Sequence, residues 1–190
     1  MPPEFVSYRK IPRLIRPITI TEKIDGTNGV VHVAESGEVT AGSRNRWITP
    51  EKDNYGFAKW VAKHELELRG LGPGYHFGEW WGSGIQRRYG LDHKRFSLFN
   101  VSEWNAENPP PECCHVVPTL MVTRDDFKPC MSDHFIHIAI STLRMHGSEA
   151  APGFMHPEGI VVLHEASGHL YKVTLENDGA PKGLAKTSEE

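Results

Sequence analysis

Thr21-Glu22-Lys23-Ile24-Asp25-Gly26-Thr27-Asn28 sets one lysine at the end of a β-like run, Ile18-Thr19-Ile20-Thr21, and follows it with an Asp-Gly turn signal. A second β-like run, Val30-Val31-His32-Val33, begins just beyond, so the segment reads as a hairpin that holds its lysine near the turn. Two readings stand. Lys23 and Asp25 are either solvated side chains of an ordinary hairpin or a lysine and a carboxylate positioned for chemistry, and the rest of the chain has to decide.

On the N-terminal side, Arg9, Lys10, Arg13 and Arg16 are spread among Ile11, Leu14 and Ile15, which fits a basic strand or loop half-packed on the domain or simply a solvated face. On the C-terminal side, a turn at Ser36-Gly37 leads into Val39-Thr40-Ala41-Gly42-Ser43-Arg44-Asn45-Arg46. If that run is extended, Arg44 and Arg46 fall on one side, and two guanidiniums on one face suggest an anion. Thr49 then reads as an N-cap with Pro50 at the first helical position, and Phe57, Trp60, Val61, His64 and Leu68 follow at helical spacing until Gly70 to Gly74 end the helix.

Tyr75-His76-Phe77-Gly78-Glu79-Trp80-Trp81-Gly82 is a strand with a carboxylate among aromatics. Burying such an acid is costly unless it is hydrogen-bonded or faces a cleft, so Glu79 reads as a ligand-facing residue, with a structural salt bridge as the other option. The loop Ser83 to Arg95 mixes Arg87, Arg88, Lys94 and Arg95 with Tyr89, a composition that suits a phosphate backbone and also a solvated loop. Phe96 to Val101 reads as a buried strand, Ser132 to Met145 as an amphipathic helix, and Glu158 to Leu163 with Leu170 to Leu175 as a hairpin turned at Ser167-Gly168. Cys113-Cys114-His115 invites a zinc reading, but it has no partner pair at finger spacing and Cys130 with His134 is an unusual complement.

With 190 residues and a formal charge of −3, the chain supports one good core, and nucleic-acid contact has to come from a local basic patch. The expected organisation is one α+β domain over residues 1–175 and a polar, frayed tail over 176–190, whose Gly183 to Thr187 lacks P-loop spacing. Three clustered cysteines and no apolar N-terminal segment point to a reduced, cytoplasmic protein, and no apolar run approaches a membrane span.

The order of these features resembles the covalent nucleotidyltransferases, the superfamily of ATP-dependent DNA and RNA ligases and mRNA capping enzymes. Glu22-Lys23-Ile24-Asp25-Gly26-Thr27-Asn28 is most similar to the first motif of phage-type ATP-dependent RNA ligases, and the match runs roughly from Tyr8 to Thr174. The resemblance implies a nucleotidyltransferase (ATP-grasp-like ligase) domain of antiparallel sheets with flanking helices and a nucleotide cleft between the sheets. It implies that Lys23 is the nucleophile that becomes AMP-linked, that Asp25 and Asn28 help hold the nucleotide or the ends, and that Glu22 helps read the adenine. By the same resemblance Arg44 contacts phosphate or ribose, Glu79 bonds the ribose hydroxyls, and Phe99 stacks on the base, with Phe96 as the second candidate. The resemblance also implies that Glu158 works with a divalent metal, Mg²⁺ or Mn²⁺, and that Lys172 contacts the α-phosphate. The sequence departs from the family where a second strand lysine is usual, since that position is Thr174, and it leaves no room for a C-terminal OB-fold.

The chemistry fits such a set. A lysine amine attacks only when neutral, and at the reference pKa of about 10.4 only about one molecule in 2,500 is neutral at pH 7, a deficit of roughly 4.6 kcal/mol. Cations close to the amine, for which Lys172, Arg44 and a metal are candidates, favour the neutral form and also neutralise a triphosphate. The expected activity is a monomeric ATP-dependent polynucleotide ligase that seals 5′-phosphate and 3′-hydroxyl ends, RNA before DNA, with Arg87, Arg88, Lys94 and Arg95 on the nucleic acid and a partner protein able to supply the missing domain. The alternative is a module of the same fold that adenylylates itself or binds ends without sealing. Geometry can refute either: Lys23, Glu79, Phe99, Glu158 and Lys172 should line a single cleft, with Lys172 on the same sheet face as Lys23.

Overall fold

The structure, a computed structural model, describes residues 3–124, 132–176 and 178. In chain order the elements are β1 (Ile18–Lys23), β2 (Thr27–Val33), β3 (Val39–Ser43), β4 (Trp47–Ile48), α1 (Phe57–Lys63), α2 (Glu65–Leu68), β5 (Gly74–Gly82), β6 (Lys94–Leu98), β7 (Cys114–Val116), β8 (Thr119–Val122), α3 (Ser132–His146), β9 (Gly159–His164) and β10 (His169–Thr174). They form two sheets, a four-stranded one in the order β10-β9-β1-β8 and a six-stranded one in the order β4-β3-β2-β5-β6-β7. Every pairing is antiparallel except β6 with β7.

Side-chain alternation assigns each sheet its faces. In the first sheet Ile18, Ile20, Ile160 and Val162 pack against Ala139, Ile140 and Leu143 of α3. Thr19, Thr21 and Lys23 therefore point the other way. In the second sheet Val31, Val33, Ala41, Trp80, Phe96 and Leu98 pack against Phe57, Ala58 and Val61 of α1. Each such buried side chain stabilises the fold by roughly 1.5–3 kcal/mol. A third cluster, Ile24, Trp81, Tyr89, Val117 and Ala151, joins the two sheets at one corner.

The opening motif folds differently from the expected hairpin. β1 pairs with β8 and β9, whereas β2 pairs with β3 and β5, so Lys23 to Gly26 is a crossing from one sheet to the other. A second crossing, Val117-Pro118, runs beside it, with the Glu22 N–H donating to the Pro118 carbonyl at 2.9 Å. Gly26 is needed at the corner because a Cβ there would lie 2.5 Å from the Trp80 carbonyl oxygen and 2.7 Å from Trp81 Cβ. An Asp-Gly pair permits the reversal but does not choose the partner strand, which is a long-range decision.

Other expectations also shift. Helix α1 begins at Phe57, not at Thr49: Asp53 accepts hydrogen bonds from the backbone N–H groups of Asn54, Ala58 and Lys59 at 2.6, 2.8 and 3.2 Å. The Thr49 hydroxyl instead closes a turn with the Lys52 N–H. β3 stops at Ser43, and a tight turn places Arg44 and Arg46 in different concavities, so the two guanidiniums do not share a face. The basic segment before Arg16 is an exposed arm, tied near its end by the His164 Nε2–H donating to the Leu14 carbonyl at 2.7 Å. Cys130, the 183–187 stretch and most of the tail lie outside the described residues.

Candidate active site

Register places the lysines. Across the first sheet Lys23, Gly159 and Thr174 form one row, Thr21, Val161 and Lys172 the next, and Thr19, Leu163 and Leu170 the third. All three rows lie on the face away from α3, so Lys172 stands one row from Lys23 on a common wall. The opposite wall is the second sheet, where Asn28 and Glu79 are cross-strand partners. Between the walls is a cleft of about 490 Å³, with Arg44 and Phe99 among its lining residues.

Glu158 and Glu79 both lie close to the Lys23 corner, in different situations. Glu158 is 3% exposed and accepts from Lys23 Nζ at 2.5 Å. It stands behind the lysine and does not line the cleft wall. Glu79 accepts from the Gly26 N–H at 3.1 Å and from Asn28 Nδ2 at 3.0 Å. Loss of hydration on burial raises its pKa to about 7, with the Lys23 charge and the Gly26 N–H pulling down and the Glu158 charge pushing up. Phe99 is half-exposed at the cleft while Phe96 is fully buried in the core, so of the two aromatic candidates only Phe99 can meet a ligand.

Comparison with protein-family models matches residues 16–174 to the family described as RNA ligase. The chain belongs to the RNA ligase family. Solved structures of a Naegleria gruberi RNA ligase share its fold: a variant with ATP and Mn at TM-score 0.55 and 16% identity, an apo variant at 0.54 and 17%, and a variant with AMP and Mn at 0.53 and 16%. These matches cover 83–84% of this chain and 49–50% of the solved chains, so it spans about half their length. No curated protein matches at the sequence level.

Several residues singled out in this RNA ligase family domain are engaged elsewhere. Glu22 is 1% exposed, and its carboxylate accepts from Ser148 Oγ at 2.6 Å and from the N–H groups of Glu149 and Ala150 at 2.8 and 2.9 Å. It borders the cleft, but its carboxylate anchors the turn that follows α3. Its pKa is raised because burial outweighs those three donors. Asp25 turns away from the cleft toward Arg87, whose Nε lies 3.2 Å from Asp25 Oδ2. Arg87 also donates to the His156 carbonyl at 3.0 Å and pairs with Glu176. Arg95 donates to the Ala150 carbonyl at 3.3 Å and lies over the Trp81 ring. Of the four expected nucleic-acid contacts, Arg88 alone is exposed, Lys94 being half-buried.

The 83–95 loop is a structural knot rather than a loose basic surface. Gln86, Arg88 and Tyr89 all adopt positive φ, a conformation that costs non-glycine residues energy and is held by surrounding contacts. Tyr89 is that contact: its buried hydroxyl accepts from the Asp25 N–H at 2.7 Å. Burial pushes the phenol pKa well above its ordinary value. The buried roles of Tyr89, read from sequence only as part of the basic loop, and of Ser148 are not visible in the sequence because their partners are 64 and 126 residues away.

The donor chemistry at Lys23 suits a hard cation, since the Glu158 carboxylate lies against it, Glu79 lines the cleft, and no cysteine or histidine is among the lining residues. A softer set lies on the far side of the second sheet, where ligand atoms of His64, Glu67 and Cys113 sit within 4.8 Å of one another. There His64 Nδ1–H donates to Glu67 at 2.7 Å, so the pair satisfies itself. The sequence sets His64 at helical spacing with core residues and gives Cys113 no partner pair at finger spacing, and their proximity is a product of the fold.

Proposed function

We propose that this domain is the adenylyltransferase of an ATP-dependent RNA ligase acting through a covalent lysyl-AMP intermediate. The observation that carries the reading is the common wall: Lys23 and Lys172 in adjacent rows, facing Asn28 and Glu79 across a cleft of nucleotide size. The similar Naegleria gruberi structures, which hold ATP or AMP with Mn, support ATP and a divalent cation as ligands.

In the first step Lys23 Nζ leaves Glu158, gives up a proton to solvent water and attacks the α-phosphorus. The N–P bond forms as the bond to the β-phosphate oxygen breaks, and pyrophosphate departs. Lys172 meets the α-phosphate from the neighbouring row, and Arg44 meets phosphate or ribose at the rim. Such fixed charges act where charge develops and need no reorganisation. Glu79, once ionised, accepts from the ribose hydroxyls, and Phe99 stacks on the base. Glu158, uncovered when Lys23 leaves it, would hold a divalent cation, Mg²⁺ or Mn²⁺, which would neutralise charge on the leaving pyrophosphate. A 5′-phosphate oxygen next attacks the same phosphorus and releases Lys23, and a 3′-hydroxyl then displaces AMP to seal the strand.

Incubation with ATP and either metal should add the mass of one AMP, and Lys23→Ala should abolish the adduct. Absence of an adduct across metals and pH would overturn the reading. A second reading, self-adenylylation or end binding without sealing, draws on Thr174. It stands in the Lys23 row, and Asp178 Oδ1 accepts from its N–H and hydroxyl at 2.7 and 3.2 Å. Adduct challenged with nicked and single-stranded RNA and DNA separates the two: AMP transferred and strands joined supports the ligase, and AMP retained supports the module.

A further inference from the structure

The cleft does not end at Glu79. The sheet face that carries Asn28 and Glu79 continues outward through Val30 paired with Phe77 and then His32 paired with Tyr75. Val30 also pairs with Gly42, and Gly42 with Trp47, so Trp47 joins the Phe77 row from the edge strand. Trp47, Tyr75 and Phe77 are 52%, 59% and 54% exposed. Large aromatic surface left in water at three neighbouring positions is unusual and marks an interaction face.

The rings are arranged as a platform. Tyr75 and Phe77 stack at 6.2 Å and 14°, and Trp47 and Tyr75 at 6.2 Å and 27°. His32 fills the angle beneath at 4.5 Å from Tyr75. Gly42 lets the Trp47 ring lie close against the strand, since a Cβ there would press on it at 3.1 Å from Cε3. A groove of about 300 Å³ runs between Val30, Trp47 and Phe77, with Arg46 on its edge. The turn after β3 thus sets Arg44 at the cleft and Arg46 at the groove, and among the described residues neither guanidinium has a hydrogen-bond or ion-pair partner.

We propose that this face is the docking platform for the single-stranded polynucleotide whose end is delivered to the cleft, bases stacking on Phe77, Tyr75 and Trp47 while Arg46 and Arg44 meet the backbone. The inference rests on the proposed ligase function and names where its substrate lies. Two observations choose this occupant over a protein: the platform is continuous with the catalytic face, and its flanking charges are cationic. Rows on one strand face repeat at about 6.6 Å, and stacked aromatics on an open sheet are a physical means of holding successive bases of any sequence.

The test is anisotropy of a 3′-labelled, 5′-phosphorylated single-stranded RNA with wild type, Trp47→Ala/Tyr75→Ala and Arg46→Ala, with adenylylation by ATP alone as a separate readout of the cleft. All variants should keep the wild-type melting temperature, since the altered side chains are exposed. The double variant should bind RNA at least about tenfold more weakly, at the scale of base–aromatic stacking. Arg46→Ala should reduce the slope of log K against log salt by about one unit. Adenylylation should proceed in each. RNA binding by the double variant within twofold of wild type would overturn the platform while leaving the ligase reading intact. A concentration-dependent dimer that the double variant abolishes would also overturn it, by assigning the face to a second copy. Loss of adenylylation in wild type would instead overturn the function.

Discussion

Two regions of this molecule look alike in sequence and differ in kind. The Arg87–Arg95 stretch and the Arg44–Trp47 turn both mix arginine with aromatic residues. In the first, Arg87 and Arg95 are tied to Asp25, Glu176 and backbone carbonyls, and Tyr89 is buried. In the second, the arginines and Trp47 face outward. A cation that completes a fold is not available to a ligand, and sequence composition does not distinguish the two. The same contrast divides the glutamates: Glu22 holds a turn together, while Glu79 looks into the cleft with two donors on it.

The comparison can be broken by mutation. Glu22→Ala carries the largest expected effect, a loss of about 4 kcal/mol in urea unfolding, because it leaves one hydroxyl and two backbone N–H groups without a buried acceptor. Wild-type stability resting within 1 kcal/mol of the variant's would show that Glu22 is not structural. Glu79 comes next. Its pKa of about 7 lies above the ordinary carboxylate range, so between about pH 4.5 and 7 the folded state holds a proton that the unfolded chain has released. Stability is therefore full below that window and falls as pH rises through 7, by up to about 3 kcal/mol, and Glu79→Gln should flatten this dependence in melts at pH 5 to 8. If Glu79 binds ribose as proposed, nucleotide affinity should move oppositely, strengthening through the same window as its carboxyl ionises. Arg87→Ala should cost about 2 kcal/mol, since it removes a partly buried ion pair with Asp25 and the bond to the His156 carbonyl, against less than about 0.5 kcal/mol for the exposed Arg88→Ala. Equal losses at 87 and 88 would erase the distinction between the two regions.

The sequence made legible what is local or periodic. Alternation put Lys172 and Thr174 on one strand face, and the turn residues bounded β9 and β10 within a residue or two. Sheet membership was hidden, because Asp25-Gly26 serves a corner as well as a hairpin. So were the partners of Glu22 and Arg87, each set by pairings across scores of residues. The helix start at Phe57 was missed because Thr49-Pro50 carries the local capping signal while Asp53 makes the bonds. The aromatic face, by contrast, was readable: Tyr75, Phe77 and Glu79 stand two residues apart, and period-2 geometry alone puts them on the side of the carboxylate.

The corner at Lys23 to Gly26 also sets the order in which this molecule can be assembled. Lys23 opposes Gly159 in β9, across more than two-thirds of the chain, whereas β2 finds its partners within a few dozen residues. During synthesis the sheet bearing Glu79 can close early, while β1 waits with an unpaired edge for β9 and β10 to emerge. The amine therefore gains its wall, its carboxylate and its neighbouring cation in one late event. A chain that has not yet folded β9 and β10 displays the lysine without Glu158 or Lys172 beside it.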